Sequence, residues 1–240
     1  MRPIGFSTGA VAKGDFQHAL SRLRGYGVRV VELSALRLPE LAPLVKSLDQ
    51  LDLSDFQFVS LHAPSRFLAA DECCVIELLR SVVDRGIPVV VHPDMIYTVE
   101  AWEQLGPLLF LENMDKRKRV GRSARDLLDL FELFPRAQLC FDIGHARQFD
   151  PTMVEARTIL QALHGRLAEV HISEVNTSSR HDPLSACSIS AFRSVAALIP
   201  SQIPVILETL IDQGQSDIPT EIDRARRALD QTECAAAGNF

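Results

Sequence analysis

Cysteine is scarce in this chain and unpaired. The five cysteines, Cys73, Cys74, Cys140, Cys187 and Cys234, form no C-x-x-C pair, which argues against both a disulfide framework and a structural zinc site. They read as buried reduced thiols. No apolar run approaches the roughly 20 residues that span a bilayer. The opening MRPIGFSTGAV lacks the charged, apolar and small-residue regions of a signal peptide. The expected location is therefore the cytoplasm, with no membrane partner. No G-x-G-x-x-G follows the first apolar run and no P-loop occurs, so nucleotide-binding folds gain little support. Basic charge is not in excess: 25 Lys and Arg stand against 31 Asp and Glu, a net charge of −6, and the pI is near 5.6. That balance disfavours a general nucleic-acid binder without excluding one. No stretch is rich enough in Pro, Gly or Ser to serve as a linker. One domain over residues 1–232 is expected, with ECAAAGNF (233–240) as a flexible C-terminal tail.

What the chain does have is a repeated ending. Six apolar runs each stop on a residue able to bind a metal: FVSLH at His62, PVVVH at His92, LLFLE at Glu112, QLCFD at Asp142, LAEVH at His171 and PVILE at Glu208. Runs of four or five Val, Ile, Leu and Phe suit strands buried on both faces, as in a parallel sheet covered by helices. Eight strand-like runs fall at about residues 3–8, 28–33, 57–62, 87–92, 107–112, 137–142, 167–172 and 203–208. Segments of helical periodicity lie between them, among them DFQHALSRLRGYG, DECCVIELLRSVVDRG and SARDLLDLFELFP. Many open on Ser or Asp and close on Gly or Pro. Eight such units in 240 residues predict a single α/β domain of the (β/α)8 TIM-barrel type, whose functional residues lie at the C-terminal strand ends. An open doubly wound sheet would place ligands on only two or three strands near its switch point.

Each candidate has a plainer reading. A Glu at the end of a buried run needs a cation or an Arg beside it. For Glu112 or Glu208 alone, a salt bridge would serve as well as a metal. Asp142 and His171 at equivalent ends make a joint Glu, Asp, His, Glu set, a mixed oxygen and nitrogen environment suited to Mn, Mg, Co, Zn or Fe. His62 in HAP and His92 in HPD are turned towards the barrel mouth by the nearby prolines. His145 follows Asp142 by three residues in what reads as a loop, placed to share a metal or to hold substrate. His181 follows His171 by ten. His18 and His164 fall in helical patterns and read as ordinary surface or core histidines, and Trp102 as outer packing.

This constellation resembles the xylose isomerase-like TIM barrels, the superfamily of sugar isomerases and epimerases that also holds the endonuclease IV-type AP endonucleases. The resemblance covers nearly the whole chain. In the sugar enzymes it implies one metal held by Glu112 of LENMD, Asp142 of FDIGH, His171 of VHISE and Glu208 of ILET. In the endonuclease branch it implies a multinuclear site that adds His62, His92, His145 and His181. There the loop motif Asp-Arg-His is replaced by Ser179-Arg180-His181, which removes a carboxylate from the third metal site. One to three ions per chain are therefore implied.

The two branches imply different chemistry. An isomerase or epimerase of a small sugar, sugar phosphate or related hydroxy-carbonyl compound would use Glu112 and Glu208 as catalytic acid and base, with the metal stabilising an enediolate. The alternative is a phosphoester hydrolase in which clustered metals activate water. A third class, a barrel that only binds a ligand, requires a decayed site, and the full ligand set argues against decay. The substrate expected is a small molecule, with Glu32, Arg180, His145 and His62 as contacts. Glu32 resembles a substrate-binding Glu of sugar epimerases, and a salt bridge in the mouth is its equal alternative. The basic run DKRKRVGR (115–122) and Arg180 suit an anionic substrate. Arg66, Phe67 and Leu68 are conceivable DNA probes, although a short turn into the next helix explains them more economically. Glu174 and Asn176 are placed to orient His171. A homo-oligomer is compatible with all of these readings.

Overall fold

Polar residues at every second position of several strands put one face of each strand on the lumen of a closed barrel. A computed structural model describes residues 2–211 and 217–230. Its strands in chain order are β1 (Ile4–Ser7), β2 (Val30–Ser34), β3 (Phe58–His62), β4 (Val89–Val91), β5 (Leu109–Glu112), β6 (Gln138–Asp142), β7 (Leu167–Ile172), β8 (Glu174–Val175), β9 (His181–Asp182) and β10 (Val205–Leu207). Eight of them close a parallel barrel in the order β1-β2-β3-β4-β5-β6-β7-β10, with β10 hydrogen-bonded back to β1. The expected single (β/α)8 barrel is the fold observed. All eight expected runs are its staves. Strands β8 and β9 form a separate antiparallel hairpin in the connection after β7.

The strands are shorter than the apolar runs. β4 stops at Val91 and β10 at Leu207, so His92 and Glu208 sit one residue beyond their strands, whereas His62, Glu112 and Asp142 are the last residues of theirs. Pro93 explains the first case, since it lacks the N–H that would continue the ladder. It opens a short 3₁₀ turn instead.

Helices cover the outside, and their starts follow side-chain chemistry. Asp15, Ser123, Ser185 and Asp217 each accept a hydrogen bond from the backbone N–H three residues on. Such a cap stabilises a helix by about 1 kcal/mol. The main core lies between staves and helices. A second, small apolar cluster, Val90, Phe110 and Cys140 with Phe58 and Ala168 against it, fills the lower lumen. Directly above it the lumen turns polar, with Glu32, Ser60 and Glu169 all fully buried.

The cysteine expectation holds for Cys140 only. Cys73, Cys74 and Cys187 are exposed, because they lie on helix faces turned away from the staves, and Cys234 lies outside the described residues. The tail 233–240 also lies outside them. His18 and His164 are exposed on the surface. No helix among the described residues is long and apolar enough to cross a membrane.

Trp102 is packed more deeply than outer packing requires. It is fully buried, and its indole N–H donates to Glu72 at 2.8 Å. Glu72 also accepts from the backbone N–H groups of Tyr97 and Thr98 at 2.7 and 3.0 Å. Burial alone would raise this carboxyl, but these bonds together hold it below its ordinary value. Glu72→Ala strands the buried Trp102 indole N–H and two part-buried backbone N–H groups and is expected to lower unfolding stability by roughly 3 kcal/mol. Urea unfolding measures it, and an unchanged midpoint would mean that the three donors find other partners.

Candidate metal centre

The six strand-end residues converge at one mouth of the barrel. Four of them, His62, His92, Glu112 and Glu208, line a cavity of about 620 Å³ together with Glu32, His145 and His181, while Asp142 and His171 are fully buried beside them. That volume is in the range of small-molecule sites, roughly 300–1,000 Å³.

Glu112 lies at the centre, 1% exposed. Its Oε2 stands 3.1 Å from His62 Nε2 and 3.1 Å from His92 Nε2. Its Oε1 stands 3.2 Å from His145 Nδ1 and 3.7 Å from His171 Nδ1. Burial opposes ionisation of this carboxyl, but His92 and the other imidazoles outweigh it and hold it well below its ordinary range. His62 donates its Nδ1 proton to the Ala63 carbonyl at 2.7 Å, which leaves Nε2 to face the carboxylate. Burial by itself would lower His62; Glu32 and Glu112 reverse that and push it up to about 9. His92 faces the same oxygen, but burial wins there and its pKa falls.

Asp142 divides its two oxygens. Oδ1 accepts from the His145 backbone N–H at 2.6 Å and caps the helix Ile143–Phe149, while Oδ2 lies 3.4 Å from His145 Nδ1. The expected loop at His145 is thus the first turn of a helix, because an Asp at this position is a strong N-cap. His145 Nδ1 donates to the Asn113 carbonyl at 3.0 Å. Burial opposes its protonation, but Asp142, Glu112 and Glu208 raise it to about 10. Burial raises Glu208 to about 8 against the pull of His171. His171 Nδ1 lies 3.6 Å from Glu208 Oε1.

The donor chemistry fits a metal. Among the described residues, Glu112 Oε1, Asp142 Oδ2, His171 Nδ1 and Glu208 Oε2 are buried and lack a hydrogen bond of good geometry. Orphaned acceptors of this kind are costly unless a cation meets them. One donor from each of these four residues lies within 4.8 Å of every other, and His62, His92 and Glu112 form a second such set; Glu32 with His62 and His171, and Cys140 with Glu169 and His171, make two further groups of close donors. Glu112 belongs to the first two. A mixed carboxylate and imidazole environment suits Zn, Mn, Co or Fe.

Other expected residues are placed differently. His145 and His181 line the cavity but join none of these sets. His181 Nδ1 pairs with Ser173 Oγ at 2.8 Å, and burial lowers its pKa to about 4. Ser179 Oγ accepts from Gln148 Nε2 at 2.8 Å, so no carboxylate completes a third set there. His181→Ala is accordingly expected to leave the metal content per chain unchanged, which elemental analysis checks; a lost ion would reveal a third site.

Arg180 is exposed and is not a cavity-lining residue, whereas Arg66, also exposed, lies on the rim. Phe67 packs against Tyr97 and Trp102, and Leu68 is 72% exposed. In the basic loop, Lys118 pairs with Asp94 at 2.6 Å and Arg117 with Asp115 at 3.3 Å. Glu174 and Asn176 do not reach His171. Glu174 accepts from the Ser185 N–H, and Asn176 donates to Asp182, because the β8–β9 hairpin carries them away from the lumen. Glu32 lies on the floor of the cavity, with Oε2 3.2 Å from His171 Nε2. Glu169, which sequence reasoning passed over, lies on the other side of that nitrogen at 3.3 Å. Its signal was present: it precedes His171 by two residues, the same face of a strand.

Fold and site together define a TIM barrel with a carboxylate–imidazole centre at the C-terminal strand ends. Among solved structures, endonuclease IV from Thermus thermophilus matches with a TM-score of 0.64 and 17% identity, over 95% of this chain and 99% of that one. A xylose isomerase-like TIM barrel protein from Mycobacterium smegmatis, solved in complex with magnesium, matches at 0.61 and 12%, over 95% and 96%. A putative sugar phosphate isomerase/epimerase from Anabaena variabilis matches at 0.54 and 15%, over 94% and 88%. No protein-family model and no curated protein sequence matches the chain. The structural likeness shows the fold, and it includes both branches of the superfamily that the strand-end motifs resemble.

Proposed function

We propose that this chain is a divalent-metal-dependent phosphoester hydrolase with a dinuclear centre bridged by Glu112. The observation that carries this reading is the sharing of Glu112 between two donor sets, Oε2 towards His62 and His92, Oε1 towards His171. Proton transfer through an enediolate needs no more than the ion of one set, Glu112, Asp142, His171 and Glu208, whereas in-line displacement at phosphorus makes use of two neighbouring ions. The strand-end pattern alone put isomerisation first, since it could not place His62 and His92 on the same oxygen of Glu112.

Two ions held by these residues would supply Lewis acidity, an activated water and charge neutralisation at a phosphoryl group. The chain's own side chains do the rest. Glu112 fixes the spacing of the two sets from the end of β5. Asp142 is held rigid by its cap to the His145 N–H, so Oδ2 is pre-aimed. His181, with its low pKa, is a neutral imidazole 29% exposed on the cavity wall, able to hydrogen-bond a substrate oxygen. Arg66, exposed on the rim, offers a guanidinium to an anionic group.

One observation favours isomerisation as the second reading. Glu112 Oε1 and Glu208 Oε1 lie 3.7 and 3.6 Å from the same His171 nitrogen, so two carboxylates face one point, as proton transfer across a bound sugar requires. The two readings separate experimentally. Zinc- or manganese-loaded protein is assayed on a nitrophenyl phosphodiester and on an abasic-site DNA duplex, with a chelator control, beside a panel of aldoses, ketoses and their phosphates. Chelator-sensitive phosphoester cleavage is the expected result. Sugar interconversion with both phosphoesters left intact would overturn it.

A further inference from the structure

Two carboxylates buried in the lumen belong to neither of the two sets that share Glu112, although each lies in a group of close donors with His171, Glu32 beside His62 and Glu169 beside Cys140. Glu32 and Glu169 are both fully buried, one strand step below the mouth. Glu32 pairs in register with Ser60, and Glu169 with Cys140. Glu169 Oε1 accepts from Ser60 Oγ at 3.0 Å across the lumen, and its Oε2 has no partner; neither oxygen of Glu32 has a hydrogen bond of good geometry. What both face is His171 Nε2, at 3.2 Å from Glu32 Oε2 and 3.3 Å from Glu169 Oε1. The other nitrogen of the same ring, Nδ1, is orphaned and directed to Glu112 and Glu208.

An imidazole that binds a metal through one nitrogen carries its proton on the other, and whatever accepts that proton fixes the tautomer and the ring plane. Buried carboxylates in pairs are costly. Their presence below the site, where a barrel lumen is ordinarily packed with branched apolar residues, calls for a role.

We propose that Glu32 and Glu169 are positioning residues for the metal centre: they hold His171 with its proton on Nε2, so that Nδ1 is the ligand nitrogen of the Glu112, Asp142, His171, Glu208 set. This rests on the metal-centre reading above. Glu169 is the stronger partner, since Ser60 fixes its carboxylate from the other side.

The experiment uses metal-stripped full-length protein titrated with Co(II) and with Zn(II) against a competing chelator. Wild type is compared with Glu169→Gln, Glu169→Ala and Glu32→Gln, and the melting temperature of each metal-free variant serves as a control for folding. Removal of such an outer partner weakens metal binding by about 10- to 100-fold. That loss is expected for the ion held by His171, with Gln at 169 milder than Ala, since its amide oxygen still accepts a hydrogen bond. The Co(II) absorption of this ion is expected to change in band position as well as in occupancy. Long-range ¹H–¹⁵N spectra of zinc-loaded wild type are expected to show His171 protonated at Nε2.

Variants that bind as tightly as wild type, or a His171 protonated at Nδ1, would overturn the inference and leave the metal centre standing. Loss of one complete ion in Glu169→Ala, with the other two unchanged, would mean that the pair is a metal site itself and would overturn it equally. A wild type that takes up no metal would refute the underlying centre instead. A variant that fails to fold is replaced in the comparison by Ser60→Ala, which frees the Glu169 carboxylate without removing it and is expected to weaken the same ion by a smaller factor.

Discussion

Glu112→Gln is expected to empty both halves of the centre at once. The substitution keeps side-chain size and removes the one carboxylate that both donor sets share. Its partners make the effect selective. His92→Ala is expected to cost only the ion it would share with His62, and Asp142→Asn only the ion of the other set, so three variants separate a shared ligand from two private ones. Loss of both ions removes several kcal/mol of transition-state charge stabilisation, about a 10³-fold fall in turnover. Elemental analysis and phosphodiester turnover measure the two effects together. Retention of one full ion in Glu112→Gln would show that the sets are independent.

Removing the metals is expected to steepen the loss of stability as pH rises. In metal-free protein the fold favours neutral Glu208, whose pKa is raised by burial from 4.5 to about 8, and protonated His62 and His145, raised from 6.5 to about 9 and about 10 by neighbouring carboxylates that outweigh burial. The sign is the same for all three. Each contributes stability that is complete below its unfolded-state pKa and lost as pH rises through the folded value. Metal-free protein should therefore lose stability steadily from about pH 6.5 to 9.5.

Bound metal competes with these protons, so its affinity grows over the same interval. At free metal near 1,000 times its dissociation constant it adds about 4 kcal/mol, or roughly 8–16 °C in melting temperature for a chain of this size. Scanning calorimetry at pH 6.5, 8 and 9.5 on stripped and zinc-loaded protein should show a gap that widens with pH. A gap that narrows would place the metal away from these histidines.

The fold was legible because the staves carry one repeated message: a buried apolar run, in six of the eight followed by a ligand residue, then a turn and a helical segment. Eight repeats make a barrel more economical than any open sheet. The strand-end ligands were legible for the same reason, and Glu112, Asp142, His171 and Glu208 do converge. What could not be read was which of them share an atom. Convergence of His62 and His92 on Glu112 Oε2 depends on the tilt and closure of the barrel, which no local spacing encodes.

The polar lumen was legible only in part. LAEVH reads as an apolar run ending in a ligand, and that reading passes over Glu169, although its spacing of two from His171 puts both on the inner face. Glu174 and Asn176 are the natural supports for His171 by sequence because they follow it closely, yet a hairpin of two short strands takes them outside. Cys73 and Cys74 are misplaced for a simpler reason: a helix has an outer face, and adjacent cysteines near its start lie on it.

The central claim is a dinuclear centre bridged by Glu112, and anomalous X-ray diffraction at the zinc edge from zinc-loaded crystals tests it most directly. Two anomalous peaks are predicted, one bound by His62, His92 and Glu112, the other by Glu112, Asp142, His171 and Glu208. A single peak on the second set, with His62 and His92 bound only to protein atoms, would contradict it.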